Sequence, residues 1–408
     1  MSIRSLLMGA AVSALAMNAF GQTPPLADTP PQPPPTSPAE STPPSPNAPA
    51  PPTSAAAPTP PAVATTPPPP PPGEAPPKKL TVGTAGLFQP GLLLQGWFLV
   101  DSCASCVSPT PTTYTTFRVR RAEIHLKGDI VPGVASYAVM FDVAKVLEFQ
   151  NTQVPVNPAD PMSPQITVRQ PVSPISVLQD VFITYQTEYA DVSLGQFKIP
   201  VSYEGYNSSS RLIFPERSLV SRQFGDRRDL GLRIAKTTKY FGYSAGIFNG
   251  GGLNNLDTNN QKDLGLRLEG YPLAGVTVAG VVYSSVGQRY QAGTKDRYEV
   301  DLRFEQGPIL FQGEYIYARD IAVTDGPSFN GQGFYAAAGY TFFEMLQPIL
   351  RLGYLDPNTG VDANHLWEYN IGVNYFIRKH ESKLQLNYSH FPNSRFENEL
   401  ILAAQVAF

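Results

Sequence analysis

From about residue 91 to the C-terminus, apolar side chains occur at every second position, and this period of two constrains the fold more than any other feature. In the last strand-like segment one parity is polar or small apart from Ile401, and the other holds Leu400, Leu402, Ala404, Val406 and Phe408. Successive side chains of a β-strand point to opposite faces of the sheet. A strand with one apolar face that ends in an aromatic residue is typical of membrane-spanning β-barrels.

Sixteen segments show this pattern, and the connections between them alternate in length. Most approach the roughly 9–11 residues that a tilted membrane strand needs; they are 92–101, 116–127, 134–145, 177–187, 191–199, 229–237, 241–249, 263–271, 276–285, 298–306, 309–318, 333–342, 346–355, 366–377, 383–389 and 399–408. Every second connection is short, as at 187–190, whereas the others are generally longer and polar, as at 200–228. Short periplasmic turns and long extracellular loops produce this alternation. We therefore predict an all-β fold, a 16-stranded antiparallel transmembrane β-barrel.

One face of these strands carries charges, which indicates that this face meets water rather than a packed apolar core. Glu299, Asp301 and Arg303, for example, alternate with apolar residues. A barrel of this size is wide enough to hold a water-filled channel. The second strand departs from the alternation near Arg120 and Arg121, where we expect a β-bulge.

The N-terminal part of the chain differs in composition and is predicted to lie outside the barrel. Residues 1–21 read as a signal peptide, with Arg4, a short apolar stretch and small residues before the expected cleavage point. Residues 22–80 are predicted to be a disordered, Pro-rich periplasmic linker, because proline fixes φ and lacks an amide donor, and 25 of the 43 prolines lie between positions 22 and 77. Residues 81–408 form the predicted barrel domain.

Composition and motifs argue against several function classes. The formal net charge of −3 lacks the excess of positive charge that is typical of nucleic-acid-binding proteins. The sequence contains no G-x-S-x-G or H-E-x-x-H motif, so we expect no enzyme, no metal site and no cofactor. Cys103 and Cys106 lie in a loop outside the cytoplasm, where we predict a local disulfide; a redox pair and half a metal site are the alternatives.

The third long connection, 200–228, carries the strongest site signal. Its apolar residues Leu212, Ile213, Phe214 and Leu219 suggest that it packs inside the barrel and narrows the pore. Nearby are the motifs Gly-Gln-Phe-Lys-Ile-Pro at 195–200, Phe-Pro-Glu-Arg-Ser at 214–218 and Arg-Arg-Asp-Leu-Gly at 227–231, and the second strand contains Phe-Arg-Val-Arg-Arg-Ala-Glu-Ile at 117–124.

In these motifs, and over roughly residues 87–408, the chain resembles the phosphate-selective porin O/P family. The resemblance implies a sixteen-stranded porin that forms a homotrimer, with an inward-folded third loop and an arginine-lined path for anions. The Pro-rich segment lies outside the resemblance.

An anion path needs fixed positive charge at its narrowest point, and arginine suits this role because its guanidinium stays charged and binds oxyanions in a fork. Arg233 is the best wall candidate, since the alternation around it is clear. The alternative for each arginine is a salt bridge that fixes the loop to the wall. The candidate pore-lining residues for anion or solute binding are Arg121, Lys198, Arg211, Arg217, Arg222, Arg227, Arg228 and Arg233.

These observations predict a porin in the outer membrane of a Gram-negative-type cell, surrounded by lipid, through which small hydrophilic solutes diffuse passively. A preference for anions or phosphate stays open, because carboxylates on the lumen-facing positions compete with the arginines. An outer-membrane enzyme is one alternative class. A second is a mostly closed structural barrel, tethered to the cell wall by its Pro-rich arm.

Overall fold

The computed structural model describes residues 80–82, 86–103, 112–155, 165–171, 174–225, 227–257, 259–286, 293–322, 324–392, 394 and 397–408. The predicted signal peptide and nearly all of the predicted linker lie outside these ranges, as do Cys106 and the side chain of Cys103. The signal peptide, the linker and the disulfide therefore stay predictions. Within these ranges, no helix is long and apolar enough to cross a membrane.

Sixteen strands of the described chain form a closed antiparallel barrel, as predicted. They match the sixteen predicted segments one for one, and the barrel closes where the last strand (Asn398–Ala407) pairs with the first (Gly86–Cys103), with Leu402 opposite Phe98. The barrel strands are β2 (Gly86–Cys103), β3 (Thr112–Val131), β4 (Ala135–Asp142), β7 (Leu178–Gln186), β8 (Asp191–Lys198), β9 (Arg228–Thr237), β10 (Phe241–Phe248), β11 (Lys262–Gly270), β12 (Val276–Val286), β13 (Lys295–Gln306), β14 (Ile309–Ile321), β15 (Ser328–Tyr340), β16 (Leu346–Asp356), β17 (Leu366–Arg378), β18 (Ser382–His390) and β19 (Asn398–Ala407).

Three further strands lie outside the barrel count, and sequence reasoning missed them. A short β1 (Leu80–Val82) pairs with the start of β2, and β5 (Phe149–Pro155) pairs with β6 (Gln165–Pro171) in a separate hairpin. The hairpin lies in the second long connection, which the alternation assigned entirely to loop. Neither of its strands has an unbroken apolar parity, so the period-two signal is too weak to detect it.

Side chains alternate between the outside and the lumen along the barrel strands. On β13, Glu299 and Asp301 are buried while Tyr298 and Val300 are 46% and 60% exposed. The apolar outward face is the one that lipid covers. The polar inward face lines the lumen, where most of its side chains are buried by the third long loop.

The bulge predicted on the second strand is present. Arg121 lies opposite Gln95 and Val119 lies opposite Gly96, so Arg120 is the extra residue on β3. An extra residue reverses the facing of the chain that follows it. As a consequence, both Arg120 and Arg121 point into the lumen, where each is at least 97% buried.

The third loop, residues 199–227 between β8 and β9, folds into the lumen. Two 3₁₀ segments outside this loop, Val143–Leu147 and Pro174–Val177, flank the β5–β6 hairpin. The third loop itself contains helix α1 (Tyr203–Tyr206), a 3₁₀ turn (Ser209–Arg211) and helix α2 (Leu219–Phe224). Its apolar side chains pack against lumen-facing aromatic and aliphatic residues of the wall, and the buried cluster contains Val201, Phe214, Val220, Phe224, Phe248, Ile316 and Tyr335. The lumen thus holds the main apolar core of the described chain, beside the buried charged side chains of the wall.

Candidate functional site

The third loop crosses the lumen almost to the end of the barrel that carries the short turns. Its deepest carbonyls accept hydrogen bonds from amides of the wall. Gln405 donates to the carbonyl of Ser210 at 2.9 Å, and Asn374 and Gln385 donate to the carbonyl of Ile213 at 2.9 and 3.0 Å. Backbone groups buried without partners are costly, so these amides allow the loop to stay inside the barrel.

One ionic attachment joins the loop to β3. Arg120 Nε donates to Glu216 Oε2 at 2.8 Å, and Arg121 Nη2 lies 3.3 Å from Glu216 Oε1. Burial alone would raise the pKa of Glu216, but the guanidinium groups of Arg120 and Arg121 outweigh it and hold this pKa well below its usual range. The bulge on β3 is what allows two consecutive arginines to reach one carboxylate.

A second ionic attachment joins the loop to β16 and β17. Arg351 Nη1 lies 3.5 Å from Glu204 Oε1 of the loop, and Arg351 Nη2 donates to Glu368 Oε1 at 2.6 Å. Glu368 also accepts the backbone amide of Leu219 at 3.1 Å, at the first residue of α2. Burial raises the pKa of Glu204, although Arg351 and the amide of Ser218 act in the opposite direction.

A third attachment holds the start of α1 against β13 and β14. The backbone amides of Ser202 and Tyr203 donate to Glu299 Oε2 and Glu314 Oε2, each at 2.6 Å. Ser202 has φ of 68°, a left-handed conformation that favours glycine, and its hydroxyl caps the helix by accepting the amide of Gly205 at 3.0 Å. The loop is therefore fixed to three sectors of the wall.

Four of the eight predicted pore-lining residues are buried: Arg228, described below, and three that bind groups of the third loop. Arg121 binds Glu216, as described above. Arg217 Nε donates to the carbonyl of Glu204 at 2.7 Å, and Lys198 Nζ donates to the carbonyl of Gly205 at 2.7 Å. These contacts are of the kind expected under the alternative stated above, in which a basic residue fixes the loop rather than binding an anion.

Three of the predicted residues, including Arg228, lie at the end of the loop nearest the long connections. Arg222 is on α2 and partly exposed, and Arg227 Nη2 donates to the carbonyl of Gln223 at 3.0 Å. Arg228 begins β9, and its Nε donates to Asp180 Oδ1 at 2.9 Å. The structure therefore separates these three from the arginines deeper in the lumen.

The remaining two predicted residues face open space on opposite sides of the loop. Arg233 is a wall residue of β9, and its guanidinium lies 4.6 Å from the ring centroid of Phe197. Arg211 ends the 3₁₀ turn of the loop and is partly exposed. Neither residue forms a side-chain ion pair within the described ranges.

Three cavities flank the loop, and each is named here after one of the predicted arginines. The Arg233 cavity, of about 500 Å³, also contains Lys198, Tyr206 and Glu269 in its wall. The Arg211 cavity measures about 450 Å³ and the Arg227 cavity about 390 Å³. The first two open toward the short turns and the third toward the long connections. Helix α1 separates the first two, because Tyr206 lines the Arg233 cavity and Tyr203 lines the Arg211 cavity.

The predicted set of pore-lining residues left out several lumen-facing basic residues of the wall, although the sequence pattern already placed Arg303 on the charged face. Arg351 alternates with the outward residues Leu350 and Leu352, and Arg267 and Arg303 show the same pattern, so the period of two could have identified them. Arg120 could not be assigned in this way, because it is the extra residue of the bulge. The residues left out of the set are Arg120, Arg267, Arg303, Arg351 and Lys383. Within the described ranges, no group of three or more His, Cys, Asp or Glu side chains could hold a metal ion.

Comparison with solved structures shows the same fold in outer-membrane proteins. An anion-selective porin from Comamonas acidovorans superposes with a TM-score of 0.55 at 10% identity, over 79% of this chain and 100% of that one. The outer membrane channel DcaP of Acinetobacter baumannii gives 0.52 at 11% identity, over 81% and 99%. The trimer form of OmpT from Vibrio cholerae gives 0.50 at 12% identity, over 79% and 100%. At these identities the likeness establishes the fold alone.

A comparison with curated proteins gives no significant match. The model of one protein family, described as phosphate-selective porin O and P, matches residues 111–297 and 280–403, which together cover most of the chain. The match includes the bulged strand, the third loop and nearly all barrel strands, and it places the barrel in the outer membrane of a Gram-negative cell. The chain belongs to the phosphate-selective porin O and P family.

Proposed function

We propose that small hydrophilic solutes diffuse passively through this barrel, along the cavities between the third loop and the wall, with a preference for anions. The observation that carries the proposal is the placement of basic side chains along those cavities: Arg227 at the end with long connections, and Arg233, Lys198 and Arg211 toward the short turns. Membership of a porin family supports a channel rather than an enzyme. The Comamonas acidovorans neighbour is itself described as anion-selective.

The anion preference is expected to be modest. Carboxylates line the same cavities, with Asp129, Asp191 and Glu269 beside the Arg233 cavity and Glu305 beside the Arg211 cavity. Fixed charges of both signs reduce the net potential that an ion meets. Arg121, Arg217 and Arg228 contribute mainly by holding the loop and its end, since each is buried against protein groups, whereas Arg233, Arg211 and Arg227 form the arginine-lined path. Phosphate is then one of several accepted anions.

Single-channel recording in a planar bilayer tests this function. We expect open channels in KCl, a reversal potential under a KCl gradient that indicates anion preference, and a smaller current when phosphate is added. Arg233→Ala should shift the reversal potential toward zero. Open channels that prefer cations would contradict the proposed preference, and large unselective steps would leave only general diffusion.

The protein is also proposed to act as a homotrimer. The support is indirect: the Vibrio cholerae neighbour was solved in a trimer form. Cross-linking of the detergent-solubilised protein tests the assembly, and a species of one chain mass at every protein concentration would contradict it.

A mostly closed structural barrel is the second candidate function. The observation that favours it is the apolar packing of the loop across the lumen, with Val201, Phe214 and Val220 each at most 1% exposed. In this case the Pro-rich arm at 22–80 would tether the barrel to the cell wall. Folded barrels that give no current steps would favour this candidate, and deletion of residues 22–77 would then release the envelope from the wall.

A further inference from the structure

The Arg211 cavity brings two arginines together with apolar side chains of the loop and the wall, among them Leu212, Ile213 and Leu310. It opens at the barrel end that carries the short turns, since Gly275, Gly307 and His380 lie at its rim. Short turns face the periplasm in barrels of this class. The cavity therefore lies on the periplasmic side of the third loop.

Two arginines approach this cavity from opposite sides. Arg211 comes from the loop and forms no ion pair with a described carboxylate, while Arg303 comes from β13, where it pairs with Glu305 and lies 5.8 Å from the ring centroid of Tyr203. Burial and the neighbouring Arg303 both lower the pKa of Arg211. The two guanidinium groups thus share one space with the exposed carboxylate of Glu305 and the buried carboxylate of Glu204.

His380, in the turn after β17, lies in the positive electrostatic potential of the same arginines. Burial, together with the charges of Lys383, Arg211 and Arg303, lowers the pKa of His380 to about 3. The imidazole is therefore neutral at physiological pH, and its Nδ1 atom is buried without a hydrogen-bond partner in the described chain. A neutral ring at this rim adds no charge that would repel or bind a cation.

The wall also carries apolar side chains, beside the polar groups of Glu204, Asn207, Thr277 and Gln312. Leu212, Ile213 and Leu310 are at least 93% buried where they border the cavity, and Val276 and the ring of Tyr203 complete this side. An inorganic ion would occupy the guanidinium side and leave the apolar side in contact with water. A ligand with both a carboxylate and an apolar body covers both sides, the combination that small-molecule sites usually present.

We propose that the Arg211 cavity is a binding site for small organic anions, in which a carboxylate binds Arg211 and Arg303 and an aromatic or branched body contacts Leu212, Ile213 and Leu310. The proposal rests on the proposed channel function for the route by which the ligand arrives. It deepens that function, because it adds a site that selects by shape and apolar contact rather than by charge alone.

Current block by benzoate tests the site. Acetate has the charge without the ring, and benzyl alcohol has the ring without the charge. In the wild-type channel we expect benzoate to reduce the KCl current at a concentration at least about tenfold below that needed with acetate, and benzyl alcohol to have no effect. Arg211→Gln should raise the half-blocking concentration of benzoate about tenfold.

Arg378→Gln is the matched control, because Arg378 carries the same charge at the same end of the barrel but is paired with Glu381 in an exposed turn outside the cavity. It should leave the benzoate block unchanged. Equal block by benzoate and acetate, or a benzoate block that survives Arg211→Gln, would overturn the site.

Equilibrium dialysis of the detergent-solubilised protein with labelled benzoate separates the proposed site from the proposed channel function. KCl channels without benzoate binding would retain the porin and reject the site. Saturable benzoate binding that Arg211→Gln abolishes, in a protein that forms no KCl channels, would retain the site and reject the porin.

Discussion

At the scale of single residues, the lumen is organised by carboxylates of the third loop that meet arginines of the wall. Glu216 is the clearest case, because Arg120 and Arg121 bind its two oxygens within 3.3 Å. A buried ion pair adds little net stability compared with an apolar replacement, but removal of one partner leaves a buried charge without compensation. The function of Glu216 is therefore to fix the position of the loop.

Glu216→Gln should lower the free energy of unfolding by about 3 kcal/mol, since two adjacent guanidinium groups lose the negative charge between them. Urea unfolding in lipid vesicles, followed by tryptophan fluorescence, measures this. Trp97 is a local reporter, because the Arg120 guanidinium lies 5.4 Å from its ring. The control Glu305→Gln, which removes an exposed partner of Arg303, should cost under about 1 kcal/mol. Equal losses in the two variants would contradict the proposed role of Glu216.

The same carboxylate predicts a pH dependence. The pKa of Glu216 is lower in the folded protein than in the unfolded chain, so its contribution to stability is present above the unfolded value, about 4.3, and is lost as the pH falls toward the folded value. The stability difference between the wild type and Glu216→Gln should therefore be largest near neutral pH and shrink below about pH 4. Unfolding curves of both proteins from pH 7 to pH 3 test this, and a difference that grows on acidification would be inconsistent with it.

At the scale of elements, the strands accommodate the loop through local departures from regular pairing. The bulge on β3 brings Arg120 and Arg121 to the same side. On β8, just before the loop begins, Gly195 has φ of 137° and packs so closely on β7 that an added Cβ would lie 2.2 Å from the carbonyl oxygen of Val181. The strand that leads into the loop thus depends on a residue without a side chain.

Gly195→Ala should lower the free energy of unfolding by about 2 kcal/mol or more, because it combines a strained backbone with a backbone clash. Gly96→Ala on β2 is the matched control: an added Cβ there meets nothing within 4 Å, and the change should stay within about 0.5 kcal/mol. Both are measured by urea unfolding in vesicles. A tolerated Gly195→Ala would show that β7 and β8 can move apart at little cost.

At the scale of the whole molecule, the barrel is apolar outside and charged inside, the reverse of a water-soluble domain. Lipid solvates the outer side chains, and the cost of an outward charge depends on its depth in the membrane. On β17, Ile371 and Ile377 are 65% and 61% exposed, but Ile371 lies near the middle of the strand and Ile377 near the short-turn end.

Ile371→Arg should therefore destabilise the barrel by about 2–4 kcal/mol, whereas Ile377→Arg should cost about 0–1 kcal/mol. Unfolding in vesicles measures both, with the same charge introduced into the same strand. Similar costs at the two positions would mean that the membrane does not cover the barrel at the depth assigned here.

Sequence reasoning reached the barrel, its sixteen strands and the bulge because each depends on neighbours in the chain. The alternation of Tyr298, Val300 and Leu302 with charged residues is a local signal, and the loop lengths around it specify which ends turn tightly. The hairpin of β5 and β6 was not predicted, since a strand outside the membrane needs no unbroken apolar face. The family resemblance rested on short motifs that the family match now includes.

Only the tertiary structure decided what each basic residue does. Arg217 and Arg233 are equally basic in the sequence, yet Arg217 is fully buried against the carbonyl of Glu204 while Arg233 lines a cavity. Their roles depend on partners more than ten residues away or across the lumen, and on how a loop without periodicity fills a closed space. Alternation fixes which side of a strand a residue faces, but the partner it meets there is set by the closure of the barrel and the path of the loop.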